Sequence, residues 1–222
     1  FILSFMMARY RGIFFALLNL AFSMLLFGIL VNSIELGSTD GFSVPVPSYF
    51  GYVPSSAETR VSFLLYGMIC LVVYVSTLAV HRYLHSTMGY IGEAIRENEV
   101  RVDYLGASVK QAIMVKYIIS ATLAGMGGAF TVLLIGHVTP EDTVYWTRSG
   151  EFVFVAILSG TGNVAAPFLG SAMFELVRTY ALQYAPEVWQ LLLGATLLLT
   201  IMFLPNGLWS LIQSNDRKRE QT

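Results

Sequence analysis

The sequence predicts an all-α, polytopic transmembrane helical bundle, with about five spans plus a re-entrant or broken helical hairpin. Three observations lead there. Of 222 residues, 55% are hydrophobic and 12% charged, against roughly 25% charged in soluble domains, and the mean hydropathy is +0.65. Uncharged runs long enough to cross a bilayer, about 18 residues or more, occupy residues 12–34, 61–80, 117–140, 152–174 and 188–215. Between the second and third lies one long polar island, residues 92–116, with four acids and four bases. A bilayer offers such groups no partners, so the island faces something large and soluble.

Taken in order, residues 1–8 read as the tail of a hydrophobic helix, because no basic stretch of the signal-peptide kind accompanies them. An N-terminal truncation is the expectation. Residues 12–34 form the first span. Residues 35–60 carry Pro45, Pro47 and Pro54 with several glycines, which predicts an external loop with at most short helical turns. Residues 61–80 form the second span.

In the island, Ile95, Val102 and Leu105 stand at i, i+7 and i+10 on one helical face. Glu97 precedes Arg101 at the favourable i, i+4 spacing, and Gly106 stands where a C-terminal cap glycine belongs. Glu93, Glu97, Glu99 and Asp103 disfavour the negative inner leaflet. A groove on a soluble protein fits this helix; a solvated loop is the other reading.

The third span carries Ala121 with Gly125 and Ala124 with Gly128 at four-residue spacing, a pattern that lets helix backbones approach closely inside a membrane. The fourth run breaks at Ser159-Gly160-Thr161-Gly162-Asn163, followed by Pro167. A short helix over residues 151–158, a turn, and a second helix over 167–184 are predicted, with one continuous kinked span as the alternative. Glu175 and Arg178, three apart on the second helix, suit a pair across one turn better than a proton or substrate site.

Ten basic residues fall on one side of an alternating topology: Arg9, Arg11, Arg82, Arg96, Arg101, Lys110, Lys116, Arg217, Lys218 and Arg219. Only Arg60 and Arg148 fall on the other. Positive charge collects on the cytoplasmic side, so the island and the C-terminus are expected there. Parity then requires the fourth run to enter from outside and return.

Several function classes lose support. A net charge of −1 creates no basic field for nucleic acid. Cys70 is the sole cysteine, which excludes a disulfide framework within the chain. His81, His85 and His137 lie at span boundaries with no second metal ligand at a supporting spacing. No Walker A sequence is present, so no ATP site of the P-loop type and no bound cofactor are expected. An intramembrane hydrolase would have only Ser149 or Ser159 with His137 to work with. A gradient-driven carrier would rest on Glu175 and Arg178 alone.

Six ordered blocks carry a family resemblance. Arg11-Gly12-Ile13-Phe14-Phe15-Ala16 with Leu20-Ala21-Phe22 resembles R-G-x-Y-F-A-x-x-T-L-A-F. Residues 37–42 are similar to a T-G-G-x-x-G-L loop, and Ala94-Ile95-Arg96-Glu97-Asn98-Glu99 with Leu105-Gly106 resembles A-I-R-E-(D/N)-E followed by L-G. Residues 119–129 are similar to I-S-A-x-x-A-G-x-A-G-A. Residues 158–170 resemble G-G-x-G-(S/T)…G-P-x-x-G-A, with Ser159 and Ala166 replacing glycines, and Phe203-Leu204-Pro205-Asn206-Gly207-Leu208 resembles F-x-P-x-G-L. On these blocks the chain resembles the permease subunits of branched-chain amino acid ABC importers, the LivM-type family.

The resemblance implies a single membrane permease domain over residues 1–222 of a bacterial inner-membrane importer, without an ATPase site of its own. It also implies a second permease subunit, two cytoplasmic ATPases that use ATP, an external solute-binding protein and surrounding lipid as partners. Residues 92–110 would be the coupling loop, with Glu93, Ile95, Arg96, Glu97, Glu99, Val102, Leu105 and Gly106 facing an ATPase. A urea or short-amide permease of the same superfamily is the nearest alternative. Thr39, Asp40, Gly160 and Asn163 are the candidate pathway residues, since loop and broken-helix backbone can present polar groups to a polar solute.

The topology has a direct check. Single cysteines at Asn98 and Ser214 are expected to react only from the cytoplasm, and one at Ser55 only from outside; external labelling at 214 would refute the returning hairpin.

Overall fold

The computed structural model describes residues 2–44, 59–160, 163–184, 186–204 and 207–210. Ser55, Thr161, Gly162, Ser214 and the basic cluster at 217–219, all used above, lie outside the described residues. The chain is all-α apart from one two-residue strand pair among the described residues, and it divides into two units, Phe1–Trp146 and Thr147–Thr222.

The first unit contains α1 (Ile2–Met7), α2 (Gly12–Asn32), a 3-10 turn (Ile34–Leu36), β1 (Phe42–Ser43), α3 (Thr59–Leu84), α4 (Thr87–Tyr104), α5 (Val109–Ile135), β2 (His137–Val138) and α6 (Pro140–Thr143). Three helices are long and apolar enough to cross a membrane among the described residues: Gly12–Asn32, Leu65–Leu84 and Val109–Ile135. They coincide with the first three uncharged runs. Almost nothing in them is buried within the chain, as befits surfaces meant for lipid or neighbouring helices.

α5 is the element on which the first unit is assembled. Ser4 on α1 is buried, and its hydroxyl donates to the Met114 carbonyl at 3.1 Å. Met7 and Ala8 are buried beside it in sequence, and the Lys110 ammonium lies 4.4 Å from the centre of the Phe5 ring, a cation–π contact. The Tyr117 hydroxyl donates to Asn19 Oδ1 on α2 at 2.8 Å, while Phe15 meets the Tyr117 ring edge-on. Farther along α2, Ser23 donates to the Val144 carbonyl, and Phe27 packs on Tyr145. The described start of the segment after α2 is tied to the segment after α5 as well. Phe42 pairs with Val138 and Ser43 with His137 in an antiparallel ladder that no periodicity in the sequence announces.

The island forms the end of α4, the turn, and the start of α5. Gly106 takes a left-handed φ of 82°, its N–H donates to the Asp103 carbonyl at 2.9 Å, and the Ala107 N–H reaches the Val102 carbonyl at 3.4 Å. That double closure is a Schellman motif, so the predicted stop at Gly106 is present. Ser108 then caps α5, its hydroxyl accepting from the Gln111 N–H.

One expectation about this helix needs correction. Asn98 is extended (φ −159°, ψ 101°) inside α4, and its Oδ1 accepts from the Arg101 N–H at 3.0 Å. The side chain acts as an N-cap that restarts the helix at Glu99. The i, i+7, i+10 face assumed an unbroken helix, and the kink resets its register. Glu97 and Arg101 likewise lose the i, i+4 relation of a continuous helix.

Within the first unit, the small-residue face of α5 meets no side chain from another described element. Ala121, Ala124, Gly125 and Gly128 are exposed, and no described atom lies within 4 Å of where a side chain at Gly125 or Gly128 would begin.

The second unit contains α7 (Trp146–Ser159), α8 (Ala166–Tyr184) and α9 (Trp189–Phe203). The predicted break is present, though α7 begins five residues before the expected 151, with Arg148 and Glu151 paired at 3.0 Å in its early turns. Gly160 ends α7 at φ 80°, and Asn163 Oδ1 accepts from the Ala165 N–H at 3.0 Å to open the turn into α8. The Leu208 N–H returns to the Leu158 carbonyl at 2.9 Å, so the segment after α9 closes over the end of α7. Glu175 and Arg178 do approach across one turn, at 3.9 Å. Pocket-forming side chains from all three helices, among them Phe154, Met173, Leu193 and Thr200, enclose an apolar groove of 220 Å³.

α7 and α8 cross closely at Gly170. A Cβ there would lie 2.5 Å from Ser159 Cβ and 2.9 Å from the Val155 carbonyl oxygen, and Ser159 is almost fully buried. Gly170→Ala is therefore expected to overpack the crossing and destabilise the protein by about 1–3 kcal/mol, lowering Tm in detergent. Gly150→Ala, inside α7 where nothing lies within 4 Å, is the matched control and is expected to hold Tm or raise it slightly, since alanine is the better helix former.

Candidate functional site at the polar island

Restarting the helix at Glu99 decides which side chains the island offers to solvent. Val102 is 5% exposed and Val109 and Ala112 are buried with it, where α4 packs on α5. Val102 thus belongs to the chain's own interior. Its neighbours Val100, Tyr104 and Leu105 are 62%, 87% and 80% exposed. Val100 and Leu105, with the ring of Tyr104, give residues 99–105 an exposed and largely apolar side. Glu93, Arg96, Glu97, Arg101 and Asp103 are exposed around it, and Ile95 is half-buried.

Glu99 has a different role from the other island acids. Its Oε1 accepts from Arg11 Nε at 2.7 Å, while Arg11 Nη1 donates to the Ala8 carbonyl at 2.7 Å and the Tyr10 carbonyl at 3.0 Å. Arg11, Glu99, Asp103, Ser108 and Lys110, together with Val100, Tyr104 and Val109, line a groove of 480 Å³ of mixed polarity at this junction. Arg11 entered the sequence reading as a topological charge and as the first residue of the Arg11–Ala16 block, not as a partner of the island. Its partner is 88 residues away, and nothing local in either segment points to the pairing. Asn98 is a capping residue type, but Arg101 three residues later is not the acidic or amide partner of a capping box, so the sequence around it does not mark a cap.

Of the pathway candidates, Thr39 and Asp40 lie exposed on the turn before β1 in the first unit. Gly160 and Asn163 lie at the α7–α8 break in the second. Asn163 is committed to its turn. The hydroxyl of Ser159 donates to the Ala156 and Gly160 carbonyls and His137 Nδ1 stands 3.3 Å from Ser43 Oγ, so the groups a hydrolase would need have local partners.

A sequence model of the family described as "Branched-chain amino acid transport system / permease component" matches residues 1–201. The chain belongs to this family. It is 28% identical over 232 residues to the high-affinity branched-chain amino acid transport system permease protein LivM of Escherichia coli (strain K12), covering 94% of this chain and 53% of that protein. It is also 28% identical over 229 residues to the LivM of Salmonella typhimurium (strain LT2), with the same shares. The chain therefore spans about half the length of the curated relatives it matches. No solved structure matches. The family's description is that of a transport system's permease component, and the chain's membrane-length helices accord with a multi-pass protein.

Burial separates two substitutions that the sequence alone would treat alike. Val102→Asp places a carboxylate in the α4–α5 interior and is expected to cost at least about 2 kcal/mol of the permease's own stability, seen as a lower Tm and lower membrane yield. Leu105→Asp, on the exposed tip, is expected to leave both unchanged.

Proposed function

We propose that this chain is a membrane-spanning permease subunit of an ATP-driven importer that carries branched-chain amino acids across a bacterial inner membrane, with its island and C-terminus cytoplasmic. Membership of the family supports the transport role. The observation that carries the energising step is the apolar tip of Val100, Tyr104 and Leu105, held on a capped, six-residue helical segment (residues 99–104) amid charged neighbours. Residues 92–110 then act as the coupling loop of a complex with two cytoplasmic ATPases, a second permease subunit and an external solute-binding protein. The permease binds no cofactor; the ATPases use the ATP.

On this reading the tip fills a groove on an ATPase, with Glu93, Arg96, Glu97 and Gly106 around it and Val102 supporting it from inside. Closure of the ATPases displaces the tip and switches the helices between outward- and inward-facing arrangements, by no more than the differential binding of the two states supplies. Thr39, Asp40, Gly160 and Asn163 remain the proposed polar contacts of the solute.

The test is uptake of labelled leucine by proteoliposomes holding the permeases and ATPases encoded with this chain, with the binding protein added outside. ATP-dependent uptake is expected. Tyr104→Ala is expected to weaken ATPase retention by about 2 kcal/mol or more, as for a buried aromatic anchor, roughly thirtyfold in affinity. Leu105→Asp is expected to abolish co-purification and uptake together. Full uptake with Leu105→Asp would leave the tip without a coupling role, and uptake of urea in place of leucine would reassign the solute.

A further inference from the structure

The apolar tip is anchored twice, and only one anchor follows from the α4–α5 turn. The first is the turn itself, where the Gly106 closure and buried Val102 tie residues 99–104 to α5. The second is Arg11, which holds Glu99 at 2.7 Å while its own Nη1 is fixed by the carbonyls of Ala8 and Tyr10. Glu99 is the first residue after the extended Asn98, so it opens the short helix that bears the tip, and Gly12 begins α2 directly after Arg11. The pair thus bridges the free-standing end of the kink and the entry of a membrane-length helix. Both side chains are about two-fifths exposed, and a pair in that setting contributes little to stability. A fork held by two backbone carbonyls is nevertheless a specific geometric constraint.

We infer that Arg11 and Glu99 are positioning residues, forming a joint that passes displacement of the tip to α2 as well as to α5. This rests on the coupling role proposed above. Without the joint, the Asn98 kink would let residues 99–104 swing with α5 alone, and a push on the tip would reach α2 only indirectly. The joint makes α2 and α5, already linked by Tyr117 and Asn19, respond to the tip as one body.

Uptake and ATPase retention measured on the full complex test this. Glu99→Gln and Glu99→Arg are expected to lower ATP-dependent uptake by roughly two- to thirtyfold, the span of measured coupling effects of side chains that touch neither ligand, with ATPase co-purification and Tm unchanged. Arg11→Glu combined with Glu99→Arg is expected to recover part of the loss relative to Glu99→Arg alone. Recovery is incomplete because a carboxylate cannot serve the Ala8 and Tyr10 carbonyls. Wild-type uptake in Glu99→Arg, or no recovery in the reversed pair, would overturn the joint. A structural readout guards against misfolding: Arg11→Cys with Glu99→Cys, in a Cys70→Ser background, is expected to be bridged by a short bifunctional thiol reagent in the assembled membrane complex, and failure to bridge overturns the pairing. If the wild-type complex itself imports nothing, the permease reading falls and the transmission role with it, while the cross-link still decides whether the two residues meet.

Discussion

The Val102 carbonyl accepts from the Ala107 N–H, the Asp103 carbonyl from Gly106, and the Leu158 carbonyl from Leu208. Each bond answers the same constraint, that the last turn of a helix leaves carbonyls with no partner inside the helix. The breaks in this chain are therefore closed by the chain itself. Gly106 closes the island, Asn98 and Asn163 supply side-chain oxygens where the backbone changes direction, and the segment after α9 seals the end of α7. Everything proposed for the island depends on that closure, because it converts a charged loop into a short helix with a defined exposed side.

What the sequence made legible was whatever is written locally. Uncharged runs set α2, α3 and α5 because nothing competes with helix in an apolar stretch of that length. Gly106 and the Ser159–Asn163 cluster were readable because left-handed glycines and asparagine turns have their own chemistry. The face assigned to Ile95, Val102 and Leu105 was less secure, since periodicity presumes a straight helix and an asparagine between two glutamates looks polar whether or not it caps. Burial then separated Val102 from Val100 by a property that belongs to the packing of α4 on α5. The Arg11–Glu99 pair, the Tyr117–Asn19 bond and the two-strand ladder join segments far apart in the chain, and no local pattern specifies such partners.

The membrane-length helices are almost wholly unburied within the chain, and the small-residue face of α5 stands open. In water such surfaces would collapse; against hydrocarbon they cost nothing, and packing among helices comes from close fit and not from the hydrophobic effect. The contacts of the described residues are accordingly concentrated at the ends of the long helices: α1 on the start of α5, the strand pair after α2 and α5, the α7–α8 crossing. These are the places where single substitutions are expected to register as stability, and the open helix faces are where they are expected to register as assembly.

The strand pair carries a consequence for biosynthesis. Ser43 meets His137 94 positions later, Ser4 meets Met114 110 later, and Ser23 meets Val144 121 later. Each of these partners for the first 44 residues lies on α5 or just beyond it. A ribosome delivers them only after α2 and α3 have already emerged, so the early segments wait in the membrane as separate helices while the loop between Phe42 and Val138 is completed. Closing so long a loop carries an entropic cost that grows only slowly with its length, which makes the delay a matter of time more than of free energy. The first unit has all of its parts only once Val144 and Tyr145 have followed, and a chain arrested before residue 138 would hold the contacts of Ser4 and Asn19 with α5 but neither the Phe42–Val138 register nor the Ser23–Val144 bond.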